Sequence, residues 1–275
     1  MRPRLVTLAL TTVALTMLAA PTSTPAQQQG GFAYSPGKQH YQLTTTVHRN
    51  QNQGGGRAAF EFDVTTTQHV TLDLARLSRD TMRVTITIDS IAVTSELAAP
   101  QPNLRNLFGF TMTGFASPQG RIYSFDPAPG TTDQQTVALY RAFKHFLVSF
   151  PTEPITVGKT WVDTTTETAK RDGFNVTASS VTASTVAGDT TVAGTRAWRI
   201  SRHAQIQQNG DGEEAGKPIH LLGEGSVNGV HVVSSDGVYL GSESTQRFDI
   251  VLTTEESEGT PISQTIKSTV KRLPM

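Results

Sequence analysis

Cysteine is absent from this 275-residue chain, which excludes disulfide bonds, thiol catalysis and thiolate metal sites. The same absence removes the lipid-accepting cysteine of a bacterial lipoprotein. The 23 basic and 23 acidic side chains cancel, so no overall field would attract the chain to nucleic acid. Beyond the N-terminus, no apolar run is long enough to cross a bilayer as a helix.

The N-terminus has the pattern of a secretory signal peptide. Arg2 and Arg4 are basic, residues 5–20 are apolar apart from threonines, and Thr24-Pro25-Ala26 is a small-residue cleavage site. We therefore predict a signal peptide over 1–26, a flexible leader over 27–38 and a periplasmic or secreted protein without a lipid anchor. An uncleaved anchor remains the alternative to cleavage.

Most of the chain alternates apolar and polar residues with a period of two, which predicts half-buried antiparallel strands. Turn residues separate these segments, and a phase shift at Asp89-Ser90 indicates a bulge. We expect a turn at Gly188-Asp189 and a loop over 209–212. The expected strands cover 41–48, 58–64, 68–74, 82–93, 110–116, 121–125, 161–168, 173–185, 196–207, 219–234, 238–252 and 262–273.

One segment, 132–150, is predicted to be an amphipathic helix. Its apolar residues recur on a 3.6-residue period, and Thr132 and Gln135 have capping-box spacing. Pro151 cannot continue the helical hydrogen bonds, and Pro154 and Gly158 then turn the chain toward a strand beginning at Trp161, which we expect to be buried. The predicted stripe comprises Leu139, Tyr140, Phe143, Phe146, Leu147 and Phe150.

The fold class that follows is mainly β. It is a large antiparallel sheet or half-open barrel of roughly eleven strands wrapped around one central amphipathic helix. The segments around Gly120 and Gly237 share a strand–turn–strand layout in which each glycine supplies a positive φ. We predict one domain over 39–275. Two similar halves, 39–130 and 155–273, and two unrelated hairpins are both compatible with this layout.

No catalytic motif is present. The seven histidines form no metal-ligand pattern, and we predict neither a metal nor a cofactor. Residues 209–214 are acidic, but Gln207 and Pro218 stand where a calcium loop needs acids, so a solvated hairpin tip is favoured over an irregular surface calcium site. Four carboxylates could be considered for hydrolysis, but their spacing does not distinguish them: Asp163, Glu167, Asp172 and Glu224.

Residues 150–161, FPTEPITVGKTW, resemble a segment of a family of uncharacterised exported bacterial β-rich proteins. The stretch from Ser117 to Ile122 is similar to the hairpin that precedes the central helix in that family, whereas Lys159 stands where the family has Asp. This resemblance implies export and a β-rich fold but no reaction. The expected layout is also similar, at the level of fold, to periplasmic lipoprotein carriers, whose half-open barrel holds acyl chains around a helix.

We therefore predict a non-enzymatic exported protein that binds a lipid or other apolar small molecule between sheet and helix. The alternatives are an envelope protein–protein interaction or structural module, and a hydrolase with unrecognised carboxylates. The candidate ligand-binding residues are Leu139, Phe143, Phe146, Leu147 and Phe150. The residues expected to shape the structure are Gly120, Pro151, Pro154, Gly158, Trp161 and Gly237.

Overall fold

The structure, a computed structural model, describes residues 31–51, 60–96, 104–128, 131, 133–171, 174–214, 217–254 and 257–274. The predicted signal peptide lies outside this part of the chain. The strands are β1 Gly37–Gln51, β2 Phe60–Arg76, β3 Met82–Ser95, β4 Thr111–Ala116, β5 Ile122–Ser124, β6 Thr160–Arg171, β7 Phe174–Val192, β8 Thr195–Glu214, β9 Lys217–Ser234, β10 Tyr239–Thr254 and β11 Ser257–Arg272. The helix α1 covers Gln134–Lys144, and a 3-10 turn covers Arg105–Leu107.

All eleven strands form one antiparallel sheet in the order β5-β4-β3-β2-β1-β11-β10-β9-β8-β7-β6. The chain runs outward from β1 to β5, crosses through α1 to the opposite edge, and returns from β6 to β11, which pairs with β1. The predicted mainly β fold with one large antiparallel sheet and a single α-helix is confirmed. The sheet is not closed, because β5 and β6 are its two edges.

The sheet curls until its edges approach each other. Lys144, at the end of α1, places its Nζ 3.7 Å from Asp126 just after β5 and 3.1 Å from Glu167 on β6. Eleven strands spaced about 4.8 Å apart would separate these edges widely in a flat sheet. One side chain can reach both edges only because the sheet wraps around the helix.

Strand register assigns the side chains to two faces, because directly paired residues share a face. Val47, Ile266, Gln246 and Val227 are successive partners across four strands. They share the face of Tyr41, whose ring lies 5.3 Å from Phe146. The inner face is apolar around the helix and mixed farther along the strands, where Thr45, Arg49 and Gln246 lie among valines and isoleucines. The outer face is rich in threonine and charged residues.

The helix is shorter than predicted and begins with a different cap. It covers 134–144 rather than 132–150, and Asp133 Oδ2 accepts a hydrogen bond from the Thr136 amide. The predicted cap residue Thr132 lies outside the described residues. The helix ends early because tertiary partners take over the following backbone groups: Val148 N–H donates to the Tyr34 hydroxyl, and Phe150 N–H donates to the Gln119 carbonyl.

The predicted flexible leader differs in the structure, where residues 31–36 cross the core and β1 begins at Gly37. Phe32 and Tyr34 are buried, and the Tyr34 hydroxyl donates to the Val148 carbonyl. The Tyr34 and Ser35 amides donate to the carbonyls of Pro118 and Gly237, which belong to two similar turns. Aromatic burial therefore fixes a segment that its Gln- and Gly-rich neighbours suggested would be mobile.

The structure corrects three other details of the strand prediction and confirms a fourth. The segments 58–64 and 68–74 are joined in one strand, β2. Gly188 lies at a register shift inside β7 rather than at a turn, and the turn comes at Ala193-Gly194. The expected loop 209–212 is strand, paired with β9. The bulge at Asp89 is confirmed, because Ser90 pairs with His69 and Ile88 pairs with Val70.

Candidate functional site

The five predicted ligand-binding residues all lie in the core, in a cluster we call the plug. The plug consists of α1, residues 145–155 and residues 31–36. Phe143 retains 3% of its surface exposure, and the other four retain between 5% and 8%. Sequence periodicity thus found the apolar residues, although Phe146, Leu147 and Phe150 follow the helix instead of belonging to it.

Aromatic contacts surround the two phenylalanines at the C-terminal side of α1. The Phe146 ring lies 5.3 Å from Tyr41 and 5.4 Å from Tyr239. The Phe150 ring lies 4.1 Å from Phe32, and it also contacts Tyr34 and Trp161. These edge-to-face and tilted arrangements are favourable for aromatic pairs.

The corner after the plug connects it to edge strand β6. Pro151 is partly buried, Pro154 is exposed, and Gly158 has a φ of +85° and donates its amide to the Val186 carbonyl. Trp161 is partly rather than fully buried. Its indole N–H donates to the Ser149 carbonyl over 2.9 Å, so this tryptophan anchors the plug to β6.

The two glycines of the similar turns hold the leader in place. Gly120 and Gly237 have φ of +86° and +85°. A Cβ at Gly120 would lie 2.5 Å from the Val148 carbonyl oxygen, and one at Gly237 would lie 2.3 Å from the Ala33 carbonyl oxygen. Both positions therefore need glycine for conformation and for space.

The helix covers only part of the inner face. Eleven helical residues extend about 16 Å, whereas the twenty residues of β8 extend about 66 Å. In the described part of the chain, no second helix or sheet lies over the far half of the central strands. We call this region the trough. Its partly exposed side chains include Thr45, Arg49 and Gln246 as well as apolar residues, which are Val47, Val64, Ile206, Val227 and Ile266.

Three glycines leave part of the trough surface without side chains. Gly223, Gly225 and Gly229 occupy inner-face positions of β9. A Cβ at Gly225 would lie 2.4 Å from the Phe248 ring, which packs across this strand. Sequence reasoning missed the trough because each strand alternates in the same way along its whole length. Only the helix position shows which half is covered.

A polar belt separates plug from trough. Arg202 on β8 lies opposite Ser184 and Gly229, and Arg272 on β11 lies opposite Tyr41, all on the inner face. Both arginines have a fully buried Nε without a hydrogen-bond partner. Burial lowers the pKa of Arg202 and outweighs the opposing effect of Asp163.

The histidine and the two tyrosines near these arginines are neutral. Burial, with Arg202 nearby, lowers the pKa of His231 to about 3, and His231 Nδ1 lies 3.2 Å from the Tyr239 hydroxyl. Burial raises the pKa of Tyr41 and of Tyr239. The Tyr41 hydroxyl donates to Gln39 and lies 2.8 Å from the Tyr239 carbonyl oxygen. The belt therefore contains cationic groups among uncharged hydrogen-bonding groups.

An ion-pair group connects the helix end to β6. His145 and Lys144 lower the pKa of the Glu167 carboxyl to about 2, with the hydrogen bond from His145 the largest contribution and burial opposing it. The side chains of Glu167 and His145 retain 37% and 56% of their exposure. This group is partly solvated. It lies between the two edge strands β5 and β6, in a gap that we call the slot, and it connects them through Lys144.

The carboxylates considered for hydrolysis do not form a facing pair. Asp163 and Glu167 share the inner face of β6, but four residues of strand separate them by about 13 Å. Glu167 is also paired with Lys144 and His145. Glu224 lies on the outer face opposite Asp249, and Asp172 lies outside the described residues. Within the described ranges, no three His, Asp or Glu side chains gather as metal ligands.

The outer face has a different character. Its histidines pair with polar neighbours on the next strand, as in His48 Nδ1 at 2.7 Å from Asp63 and His220 Nδ1 at 2.6 Å from Asp211. An open groove of about 1150 Å³ crosses β7 to β11. Its lining residues include outward-facing Arg199, Glu243 and Lys267. The groove is therefore open to solvent and carries both positive and negative charges.

No family model matches the chain, so none supports the resemblance of FPTEPITVGKTW. No curated protein matches it either. OccAB4 of Acinetobacter baumannii is 7% identical, with a TM-score of 0.23, over 90% of this chain and 100% of that one. OccK2 (OpdF) of Pseudomonas aeruginosa is 10% identical, with a TM-score of 0.27, over 89% and 100%.

The COG4313 outer membrane channel of Pseudomonas putida F1 is 8% identical, with a TM-score of 0.18, over 88% of this chain and 98% of that one. Scores this low support no inference about function. Among the helices of the described residues, none has both the length and the apolar character needed to traverse a bilayer.

Proposed function

We propose that this protein is a non-enzymatic exported binding protein that holds a lipid or another apolar small molecule in the trough. The plug, with Leu139, Phe143, Phe146, Leu147 and Phe150, forms the closed end of the site. The inner sheet face forms its walls. This assignment moves the main contact surface from the helix stripe to the strands beyond it.

One observation carries the proposal: beyond the reach of α1, apolar side chains of the inner face remain partly exposed, among polar ones such as Thr45 and Gln246. At the plug end, Tyr41, Val70 and Ile200 are fully buried. At the trough end, Val47 and Val227 occupy equivalent inner positions but remain partly exposed. An apolar ligand would remove this surface from water, which contributes about 25 cal/mol per Å².

The outer face explains why the trough, and not the back of the sheet, is assigned to an apolar ligand. Thr44, Thr67 and Lys271 alternate with the inner residues of their strands and point outward. Apolar ligand sites are concave and combine hydrophobic side chains with a few polar groups, and the curled inner face is concave and carries both. Export to the periplasm or beyond is proposed on the pattern of residues 1–26 alone.

The test is native mass spectrometry of purified protein together with titration of a fluorescent fatty acid. We expect saturable binding by the wild type. Val227→Trp should weaken it by more than about tenfold, because the indole fills space that an acyl chain would use. Leu222→Trp is the matched control, because Leu222 is 59% exposed on the opposite face of the same strand.

Two results would contradict the proposal: the absence of saturable binding by the wild type, or unchanged binding by Val227→Trp. Phe146→Ala extends the test to the closed end. If Phe146 contacts the ligand, Phe146→Ala should change the affinity of the folded protein for the fluorescent fatty acid. Thermal melting of each variant separates lost binding from lost folding.

The structural-module alternative has one supporting observation. Edge strand β6 is 12 residues long and pairs with β7 on one side only in the described sheet. Unpaired strand edges can bind a further strand from another chain. Purification as a stable complex that contains no small ligand would favour this alternative over the trough.

A further inference from the structure

We propose that Arg202 and Arg272 bind the anionic end, a carboxylate or phosphate, of an amphiphile whose apolar chain lies in the trough. This inference rests on the binding function proposed above and specifies its ligand class. The two arginines lie where the ligand would meet the plug.

The geometry places both arginines around one aromatic pair. Arg272 is the direct partner of Tyr41, whose ring centroid lies 5.8 Å from that of Tyr239. The Tyr239 hydroxyl lies 3.2 Å from His231 Nδ1, and His231 is two residues from Gly229, the direct partner of Arg202. The two cations therefore flank the same surface, at the boundary between the covered and uncovered halves of the inner face.

The hydrogen bonding of this boundary is incomplete. A buried N–H without a partner costs free energy, and the Nε atoms of Arg202 and Arg272 both lack one. A guanidinium presents its N–H groups in a planar fork that fits a carboxylate or a phosphate. An anion at this position would supply the missing acceptors.

Neighbouring groups suit an anion as well. Ser242, Ser244 and Ser268 occupy adjacent inner-face positions on β10 and β11, and their hydroxyls are hydrogen-bond donors. Gly229 lies opposite both Arg202 and Ser244, and a Cβ there would lie 3.0 Å from the Ser244 Cβ, so Ser244 packs closely against this glycine. Asp163 is the carboxylate that acts on Arg202, and it lies on β6, two strands away.

The test compares ligands that share a chain but differ in charge: dodecanoate, dodecyl phosphate and dodecanol. Inorganic phosphate and acetate provide the headgroup alone. We expect the wild type to bind the two charged amphiphiles about tenfold or more tightly than dodecanol, as expected for charge-assisted hydrogen bonds. Arg202→Gln with Arg272→Gln should abolish this preference, so that dodecanoate, dodecyl phosphate and dodecanol bind about equally.

Arg199→Gln is the matched control. It removes a charge from the same strand as Arg202, but Arg199 pairs with Val232 on the outer face. Its ligand preference should equal that of the wild type. Arg202→Lys retains the charge without the fork, and we expect it to retain only part of the preference.

The possible failures are distinguishable. If dodecanoate and dodecanol bind equally well, or if the preference survives both substitutions, the headgroup site is wrong and the trough proposal stands. If no chain-bearing probe binds, the trough proposal fails. Binding of inorganic phosphate as tight as dodecyl phosphate would overturn the amphiphile assignment. If the Gln variants do not fold, the wild-type comparison of dodecanoate with dodecanol still decides.

Discussion

The two halves of the inner face share one alternation of residues but differ in their surroundings. At the plug end, Val70, Ile86 and Val233 are fully buried beneath aromatic rings from α1 and residues 31–36. At the trough end, Val64 and Ile266 occupy corresponding positions and remain partly exposed. The difference shows that the sheet is longer than its plug.

The largest expected effect is the loss of a plug aromatic. Phe146→Ala should lower the free energy of unfolding by about 3–5 kcal/mol, because its ring packs between Tyr41 and Tyr239. Ile266→Ala, in the trough, should cost no more than about 2 kcal/mol, since that side chain already contacts water. Urea denaturation measures both. Equal losses would mean that the two halves are packed alike.

A second pair of variants tests whether residues 31–36 are an integral part of the plug. Gly194→Ala should cost about 1–2 kcal/mol from its positive φ alone, because no atom lies within 4 Å of the new Cβ. Gly237→Ala has the same conformational cost, and its clash with Ala33 should add about 1–3 kcal/mol. Similar melting temperatures for the two variants would show that residues 31–36 can move away from the added Cβ at little cost in stability.

The Tyr34 hydroxyl provides a finer test of the same contact. Tyr34→Phe removes one bond donated to the Val148 carbonyl and one accepted from the Val148 amide. The loss should be about 1–3 kcal/mol in chemical denaturation, because both backbone groups stay buried. Tyr123→Phe is the control, with a side chain that is 58% exposed, and we expect it to be near neutral.

The smallest effect concerns the ion pairs at the slot between the sheet edges. Because the folded-state pKa of Glu167 lies below its ordinary value of 4.5, the ionised carboxylate stabilises the fold above that pH. This contribution should disappear as the pH falls toward 2. The difference in unfolding free energy between wild type and Glu167→Gln, measured from pH 6 to pH 2, should shrink with acidity. A constant difference would contradict the assignment.

Local pattern was sufficient for the strands, and it failed where distant partners decide the structure. Most of the strands and the bulge at Asp89 follow from period-two alternation and its phase shift, which are local properties, although the expected segments 58–64 and 68–74 form one strand. The end of α1 does not follow from the local pattern. The apolar stripe continues through Phe150, but tertiary hydrogen bonds hold residues 148–150 outside the helix. The loop predicted at 209–212 failed for a similar reason, since pairing with β9 overrides weak strand propensity.

The sequence by itself determined the class of fold and the apolar stripe over 139–150, because alternation and helical periodicity require only neighbouring residues. The prediction of export likewise rests on the sequence alone, on the pattern of residues 1–26. Tertiary structure decided that residues 31–36 belong to the core, that the helix covers only part of the inner face, and that Arg202 and Arg272 both lie on that face. These features depend on strand order and on the curl of the sheet, which bring together residues more than 200 positions apart, such as Tyr41 and Arg272.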